Sequence, residues 1–370
     1  MAQQTTMTPL LQHKKMLDSY AEIGWHEVKT SSYIDLVIKD APFQKGFGPS
    51  QTGRLFKLGN GTRYILLRAD IDALNTASGV RHICGHSTHT AALIQAYFHA
   101  KSHIKQIDKA NISLFFLFQP AEETFPSGAS AFLKACPDIV ARLSAAYAIH
   151  VRPLMKLGTI GLQEGPLWAR GDYMEIEVKG TMVHIKNNLQ GKDAIYASSL
   201  LVVGIKKLQA SSPLIRIGVG VISGGRQANT VADSVLLKGD IRLPNDTYQH
   251  KIKERLNALI RSVEKKTGTH IRLDYFDGTP PVINDKKITR SITQYLMKRH
   301  STPFSIQKEK QFSYGCEDFA FISQKVPSTV ALIGTGDTHD LHEEHCTISD
   351  KGTENAFLYF KCVIDSLLSG

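Results

Sequence analysis

The stretch ISLFFLF, Ile112 to Phe118, is apolar at all but one position and has the length of a strand. A strand with one wet face alternates apolar and polar residues; an unbroken run belongs in the middle of a sheet covered on both faces. LSAAYAIHV, ending just past His150, is a second such run, and RYILLRADI reads as a further strand. Between them the spacing turns helical. Thr8 to Asp40 has helical apolar spacing, and a helix from about His89 to Ala100 follows the loop around Cys84. Strands alternating with helices predict an α/β domain with a mostly parallel sheet and helices on both faces. Ligands gather at the carboxyl ends of the strands in such sheets. Asp70, Asp72, Glu122, Glu123 and His150 all lie at or just past those ends.

At 370 residues the chain exceeds one ordinary core, so two domains are expected. The middle changes character. GDYMEIEVKG alternates as a strand, GKDAIYASSLLVVGIKKLQA is helical, and PLIRIGVGVISGG and ADSVLLKGDIRL are strands flanking the turn-rich GGRQAN. TYQHKIKERLNALIRSVEKKTG is a long amphipathic helix closed by Gly268, and THIRLDYFDG is a last strand. The order βαββαβ is the split, ferredoxin-like arrangement. It predicts an inserted α+β domain over 171–278, with residues 1–170 and 279–370 forming the α/β domain that would carry the chemistry. After Pro281 the α/β pattern resumes, with a helix near Ile288 to Arg299, a strand at STVALIG and a final helix after Ser349.

The chemistry concentrates in two segments. ICGHSTHTA places Cys84, His86 and His89 within six residues, and FQPAEETF places Glu122 and Glu123 side by side after the apolar strand. Thiolate, imidazole and carboxylate hold zinc-like divalent ions. A second carboxylate beside a ligand carboxylate supplies the general base a metal hydrolase needs. Duller roles exist for each: a lone cysteine is more often a buried apolar filler, and adjacent glutamates suit a helix N-terminus. The net charge of +10 comes from scattered Lys and Arg; Lys265-Lys266 and Lys308 to Lys310 are short clusters on solvated faces, so no nucleic-acid partner is expected. No apolar stretch approaches the roughly 20 residues of a membrane span, and none at the amino end reads as a signal peptide. Five cysteines without paired spacing fit a reducing compartment, so the cytoplasm is expected.

Taken together, these strings resemble the M20 metallopeptidase clan over nearly the whole chain. Within it they are similar to the amidohydrolase subfamily of N-acyl-amino-acid, hippurate and auxin-conjugate hydrolases. AEIGWHEVKTSSYI resembles the PELGFEE-x-KT segment, LRADIDAL the RADMDAL motif, and ICGHSTHTA the ACGHDxHxA motif, while FQPAEE is identical to the family string. IHVRPLMKLGTIGL, GTMVHIKNNLQGKDAI, GGRQANTVAD, SYGCEDFAF and DLHEEHCTIS resemble the later blocks in order. The resemblance implies two divalent ions (Mn or Zn, with Co or Ni as alternatives). Cys84 would bridge them and His86, Glu123, His150 and His342 would complete the coordination. Glu122 would be the general base toward a metal-activated water. His184 would act from the inserted lid and dimerisation domain, and Asn229 and Arg242 would shape the substrate end.

Of the three histidines near the end, His339, His342 and His345, the LH string favours His342; His89 falls to a supporting place, as does Asp72. His82 matches a family histidine and receives no role. Four departures stand out: Ser87 replaces the family aspartate, whose loss would weaken the orientation of a ligand; Asn75 to Ile83 is a shortened loop; Asn188 replaces the lid proline; Cys316 replaces a serine. The expected activity is hydrolysis of the amide bond of a small N-acyl amino acid or similar conjugate, by a homodimer through the inserted domain. A dipeptidase or aminoacylase-like peptidase of the same clan, or a non-catalytic metal- or ligand-binding relative, are the alternatives.

Overall fold

A computed structural model of the chain describes residues 7–298, 304–307 and 312–369. The expected cluster Lys308 to Lys310 lies outside the described residues. Two compact units divide them: one of 1–165, 283–311 and 318–370, the other of 166–282 together with 312–317. Among the described residues no helix is long and apolar enough to cross a membrane.

The larger unit is built on an eight-stranded sheet. Its centre is four parallel strands in the order Ile112–Gln119, Arg63–Asp70, Leu143–Arg152, Ser328–Gly334. Further strands flank them, Gly53–Leu58 and Phe43–Phe47 on one side, and on the other Thr159–Gly161, antiparallel to the centre, with Ser305–Gln307 parallel to Thr159–Gly161 at the edge. Every residue of Ile112–Gln119 is buried, as an unbroken apolar run requires. Alternate side chains enter different layers. Ile65, Leu67, Phe116, Phe118, Tyr147 and Ile149 share one core with Tyr97 and Tyr359 of the helices His86–Ser102 and Asp350–Leu368. Leu66, Phe115, Leu117, Ala146 and Ala148 point the other way and are also buried.

Thr8 to Asp40, with its helical apolar spacing, contains two helices, Pro9–Ser19 and Val28–Val37. The break falls where Trp25 turns left-handed, at φ 67°, and Ile23 bridges to Ala73. The helix expected from about His89 begins at His86, because Gly85 at φ 79° turns the chain directly into it. Glu122 and Glu123 do not open a helix. They sit in an irregular segment, and the next helix, Gly128–Ala135, starts after an Ser127 cap. The shortened loop forms a small hairpin, Leu74–Thr76 against Gly79–Arg81.

The smaller unit has the ferredoxin-like order. Its strands Arg170–Lys179, Arg216–Gly224, Ser234–Leu243 and His270–Thr279 pair antiparallel in the spatial order second, third, first, fourth, and its helices are Ala194–Ala210 and Thr247–Thr267. Phe312–Glu317 belongs to this unit, where Ser313 exchanges backbone hydrogen bonds with Leu167 and Ala169.

One buried network fastens the strand ends of the larger unit. The guanidinium of Arg68, 0% exposed, donates to Asp70 Oδ2 at 2.7 Å, Gln119 Oε1 at 2.9 Å and Asp318 Oδ1 at 2.9 Å. Gln119 Nε2 donates to the same Asp318 carboxylate, which also accepts the Ala129 N–H. A buried ion pair broken on one side leaves an uncompensated charge, a loss of about 3–5 kcal/mol. Asp318→Ala is therefore expected to lower the unfolding free energy of the larger unit by that order, seen as a lower denaturant midpoint. Asp318→Asn, which retains acceptor and shape, should cost less, and equal midpoints for wild type and Asp318→Ala would contradict the account.

Candidate metal centre

Strand ends and the loops after them converge on one cluster in the larger unit. Cys84 ends the loop before the helix His86–Ser102, and His86 is that helix's first residue. His150 comes from Leu143–Arg152, Glu122 and Glu123 from the loop after Ile112–Gln119, and His342 from the loop after Ser328–Gly334. His342 has φ 67°, a left-handed conformation held by its N–H to the Ile83 carbonyl at 3.0 Å.

Two sets of potential donors share Cys84. Cys84, His86 and His150 form one, and Cys84, Glu123 and His342 the other, with the donor atoms of each set within 4.8 Å of one another. Cys84 Sγ lies 3.7 Å from His150 Nε2 and 3.3 Å from His342 Nε2, and His342 Nε2 is 3.3 Å from Glu123 Oε1. Glu122 groups with His86 and Glu123, its Oε2 4.0 Å from His86 Nε2.

The surrounding atoms orient these donors. His86 Nδ1 donates to the Asp72 carbonyl at 3.0 Å and Oδ1 at 3.1 Å. Its Nε2 is buried without a hydrogen-bond partner and points among Cys84, His150 and the two glutamates. An imidazole anchored through one nitrogen and orphaned at the other is the geometry of a metal ligand. His150 Nδ1 likewise donates to the Val151 carbonyl at 2.8 Å. Asp72 also accepts the Glu123 N–H at 3.0 Å, so one carboxylate orders two donors. His89 is fully engaged elsewhere: Nδ1 donates to Asp70 Oδ1 at 2.6 Å and Nε2 accepts the Val151 N–H at 3.0 Å.

The charges also call for a cation. Burial, then Glu123, Glu122 and Asp70, push the Cys84 thiol well above its ordinary value. Burial alone would lower His86, but Asp70 and Asp72 outweigh it and push it up to about 10. The Glu123 hydrogen bond raises His342. Without an ion the cluster therefore holds protons as its positive charge; divalent cations would take their place and favour the thiolate. The soft and borderline donors present fit such ions.

The other expected residues lie in the smaller unit or at the margin. His184 is exposed and forms an isolated antiparallel bridge with Thr230, while the Ile185 N–H donates to the Asn229 carbonyl at 2.9 Å. His184 and Asn229 thus lie on two irregular segments that this bridge holds side by side. Arg242 makes a bidentate pair with Asp240, 2.6 and 2.9 Å, and contacts Cys316 Sγ. His339 is exposed and pairs with Glu343. Ser87 and His82 line a separate cavity of about 250 Å³ with Lys14, Asp18, Arg81 and Cys346, so His86 takes its orientation from Asp72 rather than from position 87.

Arg68, Gln119, Asp318 and Glu27 all support this cluster and were not singled out from the sequence. Each lies within a recognised string, but a string does not say which member reaches another. All five cysteines are free, Cys84 and Cys346 among the buried ones.

Known proteins resemble the chain over most of its length. The model of the peptidase family M20/M25/M40 matches residues 66–365. An N-acetyl-L-cysteine deacetylase of Bacillus subtilis strain 168 is 29% identical over 365 residues, covering 94% of this chain and 85% of that protein. An N-acetyldiaminopimelate deacetylase of Geobacillus sp. strain WCH70 is 26% identical over 373 residues, covering 96% and 97%. The crystal structure of a Bacillus subtilis protein described as a dinuclear metal-binding peptidase of the M20 family has the same fold, with TM-score 0.84 at 24% identity over 97% of this chain and 98% of that one. With most of its length matched, and with the Cys84 and Glu122 segments inside the match, the chain belongs to peptidase family M20/M25/M40.

Proposed function

We propose that the chain is a dimetal-dependent amidohydrolase that cleaves the amide bond of N-acyl amino acids or similar small conjugates. The observation that carries this reading is the pair of donor sets sharing Cys84, with Glu122 beside them. Membership of a peptidase family and likeness to relatives named as deacetylases of N-acetylated amino acids support hydrolysis of a linear amide C–N bond.

In this reading Cys84, His86, Glu123, His150 and His342 hold two ions, manganese or zinc by donor type. Bound there, the ions supply Lewis acidity toward the scissile carbonyl and acidify a nucleophilic water at neutral pH. Glu122 is the general base: it stands within reach of the donor sets without belonging to either of the two that share Cys84, and in this reading its carboxylate takes a proton and passes it to the leaving amine. The Asp318 N–H, 3.4 Å from Glu122 Oε1, holds that side chain in place. His184 donates to the developing oxyanion, a contribution of about 100 to 1000-fold where such donors have been removed. Asn229 and Arg242 contact the acyl amino acid.

A panel of N-acetyl and N-benzoyl amino acids, with dipeptides alongside and Mn²⁺, Zn²⁺ or Co²⁺ added, tests the class. Turnover of the N-acyl compounds, abolished by a chelator and restored by metal, is expected; turnover of dipeptides alone would overturn the substrate assignment. Glu122→Gln should lower kcat by about 100 to 10,000-fold while bound metal stays near wild type. Full activity in that variant would remove Glu122 from the mechanism.

Metal binding should also depend on pH. Both Cys84 and His86 are held protonated at neutral pH in the metal-free site, since their values lie above it. Cations must displace those protons, so apparent affinity should rise as pH rises toward about 10. Titration calorimetry in two buffers of different ionisation heat at pH 7 should register net proton release; no release would contradict the donor set.

A further inference from the structure

The segment Ala21 to Glu27, AEIGWHE, matches a family string and has no part in the chemistry above. It lies between the first two helices and touches both carboxylate-bearing loops. The Glu22 carbonyl accepts the Ala73 N–H at 2.8 Å, and Ile23 bridges to Ala73, one residue past Asp72. Trp25 Nε1 donates to the Pro126 carbonyl at 2.9 Å. Gly24 passes so close to the second loop that a Cβ there would come 2.5 Å from Thr124 Oγ1 and 3.1 Å from Ala121 Cα.

Glu27 closes this strap. It is 0% exposed. Its Oε1 accepts the Ala121 N–H at 2.8 Å and its Oε2 accepts the Thr52 hydroxyl at 2.8 Å. Burial pushes its carboxyl up to about 7 against those hydrogen bonds. A buried carboxylate is costly unless it is bonded. What it bonds is unusual. Ala121 has φ 50°, a left-handed conformation that a residue with a Cβ keeps only when its surroundings hold it. Glu122 and Glu123 follow directly, so their side-chain directions depend on that turn.

We propose that Glu27 is a positioning residue for the carboxylate pair, holding the Ala121 turn so that Glu123 faces Cys84 and His342 and Glu122 faces His86. The proposal rests on the reading of Glu123 as a ligand and Glu122 as the base. Asp72 pins the same segment from the other side through the Glu123 N–H. Glu27 and Asp72 thus bracket residues 121 to 123 with two carboxylates, neither of them in the proposed ligand set.

The test is a Co²⁺ titration of the whole protein, read from the thiolate-to-cobalt absorption band, together with kcat, KM and melting temperature. Glu27→Ala should weaken cobalt binding about 10 to 100-fold and lower kcat by a similar factor, with KM changed less. Glu27→Gln keeps an oxygen acceptor for the Ala121 N–H and should restore both to within about threefold. Thr52→Val breaks the other bond of the same carboxylate and should lower the melting temperature alone. Should Glu27→Ala fail to fold, Glu27→Asp, one methylene too short for both bonds, should show the same loss of cobalt affinity.

Cobalt affinity and kcat within about twofold of wild type in folded Glu27→Ala or Glu27→Asp would overturn the proposal. Thr52→Val losing as much as Glu27→Ala would do so too, by reducing Glu27 to general stability. A wild type lacking the cobalt–thiolate band would instead refute the ligand set. A wild type that binds cobalt but hydrolyses nothing would refute the activity and leave the Glu27 test readable.

Discussion

The Arg68 guanidinium is the charge on which the site's architecture depends. It is fully buried, so its carboxylate and amide partners must stay in place. Those partners, Asp70, Gln119 and Asp318, come from two neighbouring strands and from a loop 250 residues further on. From Asp70 the order continues outward. Burial would raise its carboxyl, but His86, Arg68 and His89 outweigh burial and hold it well below the usual range. Asp70 binds His89, and His89 accepts the backbone N–H beside His150. One buried charge, paired with two carboxylates, thus sets the alignment of three strand ends.

The cluster built on that frame is rich in acids and poor in fixed positive charge. Asp72, Glu122 and Glu123 approach His86 and Cys84, and protons on the thiol and imidazole are the metal-free protein's answer. A divalent ion would answer the same demand, since it carries more charge than a proton and suits thiolate, imidazole and carboxylate donors. The division of labour among the carboxylates follows from their contacts. Asp70 and Asp72 hold imidazoles, Glu123 meets Cys84 and His342, and Glu122 stands beside them.

Much of this was legible in the sequence. The buried strands announce themselves by unbroken apolar runs, because a strand covered on both faces has no wet side to mark with polar residues. The ferredoxin-like order of the smaller unit was legible for a similar reason: each element carries its own period and its own end signals. The helical spacing of Thr8 to Asp40 does not show the break between its two helices, which the left-handed Trp25 and the Ile23 bridge to Ala73 mark. The start of the helix at His86 was missed by three residues, since only the left-handed Gly85 shows where the turn ends. Phe312–Glu317 gave no sign of pairing beside Leu167 and Ala169, a contact between segments far apart in the chain.

By itself the sequence determined which chemical groups were present and at which strand ends they would lie, because periodicity and donor type are local properties. It singled out Cys84, His86, His89, Glu122, Glu123 and His150 on those grounds, and the family strings added His342 and moved His89 to a supporting place. Only the tertiary structure decided which nitrogen of each histidine is committed, why His89 is engaged elsewhere, and why Arg68, Asp318 and Glu27 matter. Those are questions of distance between residues remote in the chain. Hydrogen-bond geometry and burial answer them, and neither exists until the strands have aligned.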